Sequence, residues 1–132
     1  MDLEILNIAS DTDNNRNIEN HTHFSKLKNS LCGDEIQIKL IIEENKIVDF
    51  GYQGDACVYC QASANLLSKI SINNKKEKIN ELCDYAKSYF DGKYKTMDKQ
   101  WFFFDKLFKK KNFSKKNCIL LPFKTLKKIV SN

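Results

Sequence analysis

From residue 35 to residue 52 the side chains change character with a period of two, and no other stretch restricts the fold as much. Ile36, Ile38, Leu40 and Ile42 occupy every second position among Glu35, Gln37, Lys39 and Ile41. After Glu43-Glu44-Asn45-Lys46 the pattern resumes with Val48, Phe50 and Tyr52. Successive side chains of a strand point to opposite faces, so this period on both sides of a short polar turn predicts an antiparallel hairpin with one buried face. Pairing sets the start of the first strand beside the end of the second. Cys32, just ahead of the first, and Cys57, just after the second, therefore meet at one end of the sheet although 25 residues separate them. Gly33 and Gly54 would let the backbone bend tightly beside each cysteine.

The run from Gly54 to Leu67 reads as a turn that leaves a strand and enters a helix, with Cys57 at the junction. The first amides of a helix lack partners and carry the positive end of its dipole, so a thiol there ionises more easily than a free cysteine. Cys57 is thus a candidate thiolate. Beyond it, Ala62, Leu66 and Ile70 share one helical face, flanked by Ala64 and Leu67, until Asn73-Asn74 break the pattern. A second helix, about 75 to 90, carries Ile79, Leu82, Cys83, Ala86 and Phe90 in one stripe, where Cys83 is most simply a small buried hydrophobe. A third, about 96 to 110, is expected from Met97, Trp101, Phe104 and Leu107/Phe108, with Phe102 and Phe103 left over as apolar surface. After a basic connection from Lys109 to Lys116, Phe123, Leu126 and Ile129/Val130 mark a terminal helix, with Pro122 expected in its first turn and Cys118 in its approach.

The upstream part is less patterned. Residues 1 to 9 read as a short amphipathic helix on Leu3 and Leu6, with Ile5 and Ala9 beside them; residues 10 to 20 read as a polar loop. Residues 21 to 27 suit an edge strand, where His21 and His23 are surface residues rather than metal ligands.

The 132 residues suffice for one domain with a single modest core, and 42% apolar with 30% charged residues fit a soluble globular protein. The acidic start, Met1-Asp2-Leu3-Glu4, does not suit a secretory signal, and no apolar run reaches the roughly 20 residues of a membrane span. The expectation is a cytoplasmic protein without membrane contact. In such a compartment five cysteines, an odd number, point to metal or thiol chemistry more than to a disulfide framework. Residues 93 to 128 hold 12 lysines against Asp98 and Asp105, which invites a nucleic-acid reading. Arg16 is the only arginine, however, and arginine is the usual base reader and bidentate phosphate ligand, so nucleic acid is disfavoured as a partner.

Cys32-Gly33-Asp34, the hairpin, the run Gly54-x-x-Cys57-x-x-x-x-Ala62-Ser63-Ala64 and the distant Cys118-x-x-Leu121 together resemble the IscU/SufU/NifU-type iron–sulfur cluster assembly proteins. The resemblance extends from about Cys32 to Leu126; upstream, Asn14-Asn15-Arg16-Asn17 echoes a family Asn-Pro-Arg-Asn. It implies that Cys32, Asp34, Cys57 and Cys118 form one site for zinc, iron or a nascent cluster. It also implies that a cysteine there accepts persulfide sulfur from a cysteine desulfurase of SufS or IscS type, for clusters passed to apo iron–sulfur proteins. Three thiolates and a carboxylate can complete a tetrahedral site or hold iron, and the carboxylate leaves a weaker corner for exchange. If extended, Cys32 and Asp34 would point to the same side. Cys32, Cys57 and Cys118 all stay open as sulfur acceptor. The 61-residue interval from Cys57 to Cys118, the lack of a Leu-Pro-Pro-Val-Lys segment and Asn117 before the last cysteine place the chain nearer the SufU branch, with Lys115 standing for a basic residue common three positions before that cysteine.

Two positions depart from the family pattern. Ala56 replaces a glycine before Cys57, and Cys60 stands where serine is common, one helical turn beyond Cys57. Cys60 is open to three readings: accessory ligand, resolving thiol or buried side chain; we expect metal binding not to require it. Rival readings are a thioredoxin-like dithiol oxidoreductase using Cys57 and Cys60, which needs a parallel βαβ frame, and a basic zinc-stabilised nucleic-acid-binding module. The expected architecture is a single α+β domain over residues 1–132: a small antiparallel sheet of about three strands with helices on one face, of the SufE/IscU-like kind, and the site at the sheet's end.

Overall fold

The computed structural model describes residues 2–93 and 98–132. Three strands, β1 (His23–Lys28), β2 (Glu35–Glu43) and β3 (Lys46–Asp55), form an antiparallel sheet in the order β1-β2-β3. Helices α1 (Leu3–Ser10), α2 (Val58–Ser71), α3 (Lys76–Phe90) and α4 (Lys116–Val130) complete the fold around one contiguous hydrophobic cluster. Among the described residues no helix is long and apolar enough to cross a membrane.

The sheet follows the alternation with one amendment. Ile36, Ile38 and Leu40 of β2 face the core opposite Gly54, Tyr52 and Phe50 of β3. The register then shifts, so that Ile41 pairs with Asp49 but Ile42 with Ile47. The extra residue is Val48, a β-bulge that leaves Val48 half-buried and turns Ile47 fully into the core in its place. The connecting loop is the two residues Glu44-Asn45, both with positive φ, 51° and 67°, as a tight hairpin turn requires. Beyond β3 the irregular segment Asn14–Asn17 takes the place of a further strand. The Asn14 carbonyl accepts the Tyr52 amide at 3.0 Å, and Arg16 forms an ion pair with Asp49. A Cβ at Gly51 would stand 2.6 Å from the Arg16 carbonyl oxygen, so the segment closes down only because position 51 has no side chain.

Helix α2 is the central pillar, buried at Cys60, at every position from Ala62 to Ser68, and at Ser71. Small side chains let its neighbours approach, and three hydrogen bonds hold them: Ser63 Oγ donates to the Ile119 carbonyl of α4 at 2.7 Å, Asn65 Nδ2 to the Ile8 carbonyl of α1 at 3.1 Å, and Asn14 Nδ2 to Ser68 Oγ at 2.9 Å. Helix α3 buries the expected stripe of Ile79, Leu82, Cys83, Ala86 and Phe90.

Three expectations are corrected. In α1, which Asp2 caps through the amides of Glu4 and Ile5, the buried face is Ile5 and Ala9 with Ile8 beside them, while Leu3 and Leu6 are 73% and 41% exposed. Ile5, Ile8 and Ala9 have the i, i+3, i+4 spacing of one stripe, and α2 covers that one. The expected third α-helix is instead a 3-10 segment, Lys99–Phe104, followed by turns, and its Met97 lies outside the described residues; a second 3-10 segment, Lys110–Lys115, occupies the expected basic connection. Trp101, Phe104 and Leu107 are buried at intervals of three, the period of a 3-10 turn, and Asn112 Nδ2 caps the Lys106 and Leu107 carbonyls at 3.2 and 2.9 Å. Finally, α4 begins at Lys116, earlier than expected, so Cys118 is within its first turn and Pro122 within its body. Pro122 has no N–H to give the Cys118 carbonyl, so that helix bond is missing beside the cysteine.

Candidate metal centre

The chain between β1 and β2 is short and tightly tied. The Asn29 side chain accepts the Leu31 amide at 2.9 Å, its carbonyl accepts the Gly33 amide at 2.8 Å, and its own amide donates to the Asp34 carbonyl at 2.7 Å. Gly33 has φ +78° with nothing within 4 Å of its would-be Cβ, so conformation rather than space requires glycine there. Cys32 and Asp34 are thus brought together by a turn, with the bend at Gly33 that the sequence suggested, and not by an extended chain. Opposite, β3 closes onto β2 at Gly54, where a Cβ would lie 2.1 Å from the Glu35 carbonyl oxygen. The chain then passes through Ala56 to Cys57, the N-cap of α2, and Ala56 does not have a positive φ. Alanine therefore serves where the family pattern has glycine.

These ties converge. One sulfur each from Cys32 and Cys118 and a carboxylate oxygen of Asp34 lie within 4.8 Å of one another, with the two Sγ atoms 3.8 Å apart. Asp34 Oδ1 accepts the backbone amide of Cys57 at 3.2 Å, which joins the β1–β2 turn to the start of α2. The Cys57 thiol is outside the mutually close set but interacts with that of Cys118. Burial, then the neighbouring thiols of Cys57 and Cys32, hold the Cys118 pKa above the usual thiol value. Cys32 is exposed, Cys57 half-buried and Cys118 buried, so the cluster runs from surface to interior.

Asp34 carries the sharper signal. It is 8% exposed, and its Oδ2 is buried without a hydrogen-bond partner. A buried carboxylate oxygen left unpaired is costly, and a cation is the natural partner for it. Metal coordination also reverses the burden on Cys118, because a bound cation favours the thiolate that burial and adjacent thiols oppose. Cys57 caps α2 and Cys118 is in the first turn of α4, so two positive helix ends point toward developing thiolates. Three sulfurs and a carboxylate suit zinc or iron.

Other singled-out residues fall as follows. Cys60 is fully buried inside α2, and its thiol pKa is raised by burial first and then by Asp34, Cys57, Cys118 and Cys32. Cys83 is 4% exposed in the α3 stripe, with burial pushing its pKa up to about 12. His21 Nδ1 is 2.9 Å from the Ile18 carbonyl and His23 Nδ1 is 2.8 Å from Thr22 Oγ1, away from the cysteines. The Lys115 ammonium lies 5.7 Å from the ring centre of Tyr59, two residues beyond Cys57 in the first turn of α2. The CxxC of Cys57 and Cys60 follows an all-antiparallel sheet, so the parallel frame of a thioredoxin-like enzyme is missing from the described residues. Sequence reasoning missed the bond from the Cys57 amide to Asp34 and the Arg16–Asp49 pair. The latter had a faint signal in a lone arginine within the Asn14–Asn17 motif.

Comparison with known proteins agrees with this arrangement. Residues 3–86 match the family model described as NifU-like N terminal domain. The chain is 29% identical over 130 residues, covering 93% of this chain and 87% of the relative, to the iron-sulfur cluster assembly scaffold protein IscU of Thermotoga maritima. Among solved structures it is similar, with a TM-score of 0.85 and 28% identity over 96% of this chain and 93% of the other, to a putative iron-sulfur cluster assembly scaffold protein for the SUF system from Fervidobacterium islandicum. A NifU-like N-terminal protein of Brucella abortus shares the fold at the same TM-score with 16% identity, covering 98% of this chain and 91% of that one.

Proposed function

Since the chain belongs to the NifU-like N-terminal domain family, we propose that it is an iron–sulfur cluster assembly scaffold of the SufU-like kind, acting in the cytoplasm as one domain over residues 1–132. Its cargo is iron and sulfide, held as a nascent cluster by Cys32, Asp34, Cys57 and Cys118; zinc suits the same donors. The observation that carries the reading is a buried Asp34 whose Oδ2 has no hydrogen-bond partner and one of whose oxygens lies within 4.8 Å of the Cys32 and Cys118 sulfurs.

Sulfur delivery follows from accessibility. Cys32 is the exposed thiol of the cluster, so it is the one an incoming protein reaches first. As a thiolate it attacks the outer sulfur of a persulfide on a cysteine desulfurase. The new S–S bond forms at Cys32, and the desulfurase cysteine leaves as thiolate, so no outside oxidant or reductant is consumed. Asp34 holds the start of α2 in place through the Cys57 amide, and as the one oxygen donor it offers the corner from which cargo departs to apo-proteins.

The test supplies a cysteine desulfurase with sulfur-labelled cysteine under anaerobic conditions and maps the label by peptide. Label on Cys32 that disappears in Cys32→Ser is the expected result. Undiminished label on Cys57 or Cys118 in that variant would refute the acceptor assignment, and no label on any cysteine would refute sulfur acceptance itself.

A further inference from the structure

Two recesses along α4 are not used by the metal centre. One, of about 240 Å³, opens between α3 and α4 over Cys83, Leu120 and Phe123, with Lys87 and Lys124 on its rim. The other, of about 220 Å³, lies between α4 and the β1–β2 turn, with Leu27, Leu31 and Leu121 as apolar lining and Lys28 and Lys124 as charged lining. Lys124 borders both, so the two recesses adjoin at that residue and give one path across the helix. Leu31 at its end is 80% exposed, a large apolar side chain left in water.

The charges on this path are unbalanced. Lys127 is paired with Asp84 and bonded to Asn80. Among the described residues no ion pair engages Lys28, Lys87 or Lys124. Unneutralised lysines beside apolar grooves are complementary to a segment that carries both apolar and acidic side chains. Nucleic acid fits less well, because the floor is aliphatic or buried and offers neither exposed rings for stacking nor arginine.

We propose that this α4 surface receives an acidic amphipathic helix of a partner protein, its apolar stripe along the two recesses and its carboxylates over Lys28, Lys87 and Lys124. The second recess is lined by Leu31 and Asn117, the neighbours in sequence of Cys32 and Cys118. A helix seated there brings its protein beside the candidate metal centre, and in that respect the inference rests on the proposed function: the partner is one that delivers or receives cargo.

The probe is a designed helical peptide of about 18 residues, long enough to hold helix in water, with leucines on one face and glutamates beside them. It is titrated into the full chain and followed by amide chemical shifts. Controls are the same peptide with lysine for glutamate and a mixed-sequence DNA duplex. We expect the acidic peptide to shift residues of α3 and α4 that line the recesses together with Leu31, and to bind more weakly as salt rises. The double variant Lys87→Glu/Lys124→Glu should weaken it about tenfold or more, the size expected from reversing two close charges, whereas Lys93→Glu/Lys99→Glu, with the same net charge, should not. Equal binding of the lysine peptide, tighter binding of DNA, shifts confined to other surfaces or indifference to the Lys87/Lys124 reversal would each overturn the proposal. Zinc loading of the wild type is measured alongside. Zinc loading lost in the wild type would count against the proposed function, while the peptide titration would still decide the docking surface.

Discussion

The backbone amide of Cys57 donates a hydrogen bond to Oδ1 of Asp34 at 3.2 Å, across 23 residues of chain. One carboxylate thereby does two tasks: Oδ1 fixes the start of α2, and an oxygen of the group lies within the cluster, with Oδ2 buried and without a hydrogen-bond partner. Asparagine would preserve the first task and weaken the second. Asp34→Asn should keep the fold and reduce zinc affinity about tenfold or more, the order of loss seen when supporting groups at metal sites are removed. Asp34→Ala should lose affinity likewise and cost about 1–2 kcal/mol of stability besides, because the Cys57 amide loses its acceptor. Competition with a chromophoric chelator, paired with urea unfolding of the metal-free variants, separates the two effects.

Cys60 should be dispensable for metal but not for packing. It has no exposed surface and is part of the hydrophobic core. Cys60→Ser puts a hydroxyl where no partner is ready and should cost about 1–3 kcal/mol while zinc stoichiometry holds. Loss of bound zinc from Cys60→Ser as complete as from Cys57→Ser would show that Cys60 is a ligand.

Thiol reactivity should follow exposure. In brief iodoacetamide treatment of the metal-free protein, Cys32 should be modified first and Cys57 next, with Cys83 unmodified because it is buried and its pKa is near 12. Zinc should protect Cys32 and Cys57. Peptide mass spectrometry reads each site, and alkylation of Cys83 as fast as Cys32 would contradict the packing of α3.

A pH effect is expected away from the cysteines. The Arg16 guanidinium holds the Asp49 carboxyl below its ordinary 3.8. A depressed carboxylate stabilises the fold fully above its unfolded pKa, and that contribution fades as pH falls through the lower folded value. Arg16 and Asp49 side chains are 41% and 31% exposed, so the pair contributes at most about 1 kcal/mol. Urea unfolding should show Asp49→Asn less stable than wild type at neutral pH and the two converging in acid well below 3.8. A difference that persisted in acid would assign the effect to packing of the Asn14–Asn17 segment instead.

What the sequence disclosed and what it hid follow one physical rule. Patterns set by burial on a regular element were legible: the β2 alternation, the α3 stripe, and the meeting of Cys32 and Cys57 at one end of the sheet. Features set by a single local event were not. Val48 looks like the next member of the alternation, and only the bulge puts Ile47 in its place. Leu3 and Leu6 are as apolar as Ile5, and only the position of α2 decides which of them is covered. The aromatic run after Asp98 fits α-helical and 3-10 periods alike. Cys118 was legible as a partner of the cluster from its resemblance, but not as a residue inside α4. The role of Asp34 at the Cys57 amide is a long-range contact with no sequence period to announce it.

The central claim is that three cysteine sulfurs and the Asp34 carboxylate take one ion together, and X-ray absorption at the zinc edge of the zinc-loaded protein tests it most directly. The account predicts three sulfur neighbours near 2.3 Å and one oxygen at about 2.0–2.2 Å, with the oxygen altered in Asp34→Ala and the sulfur count unchanged in Cys60→Ser. Four sulfurs and no oxygen in the wild type, or a sulfur count that falls in Cys60→Ser, would contradict it.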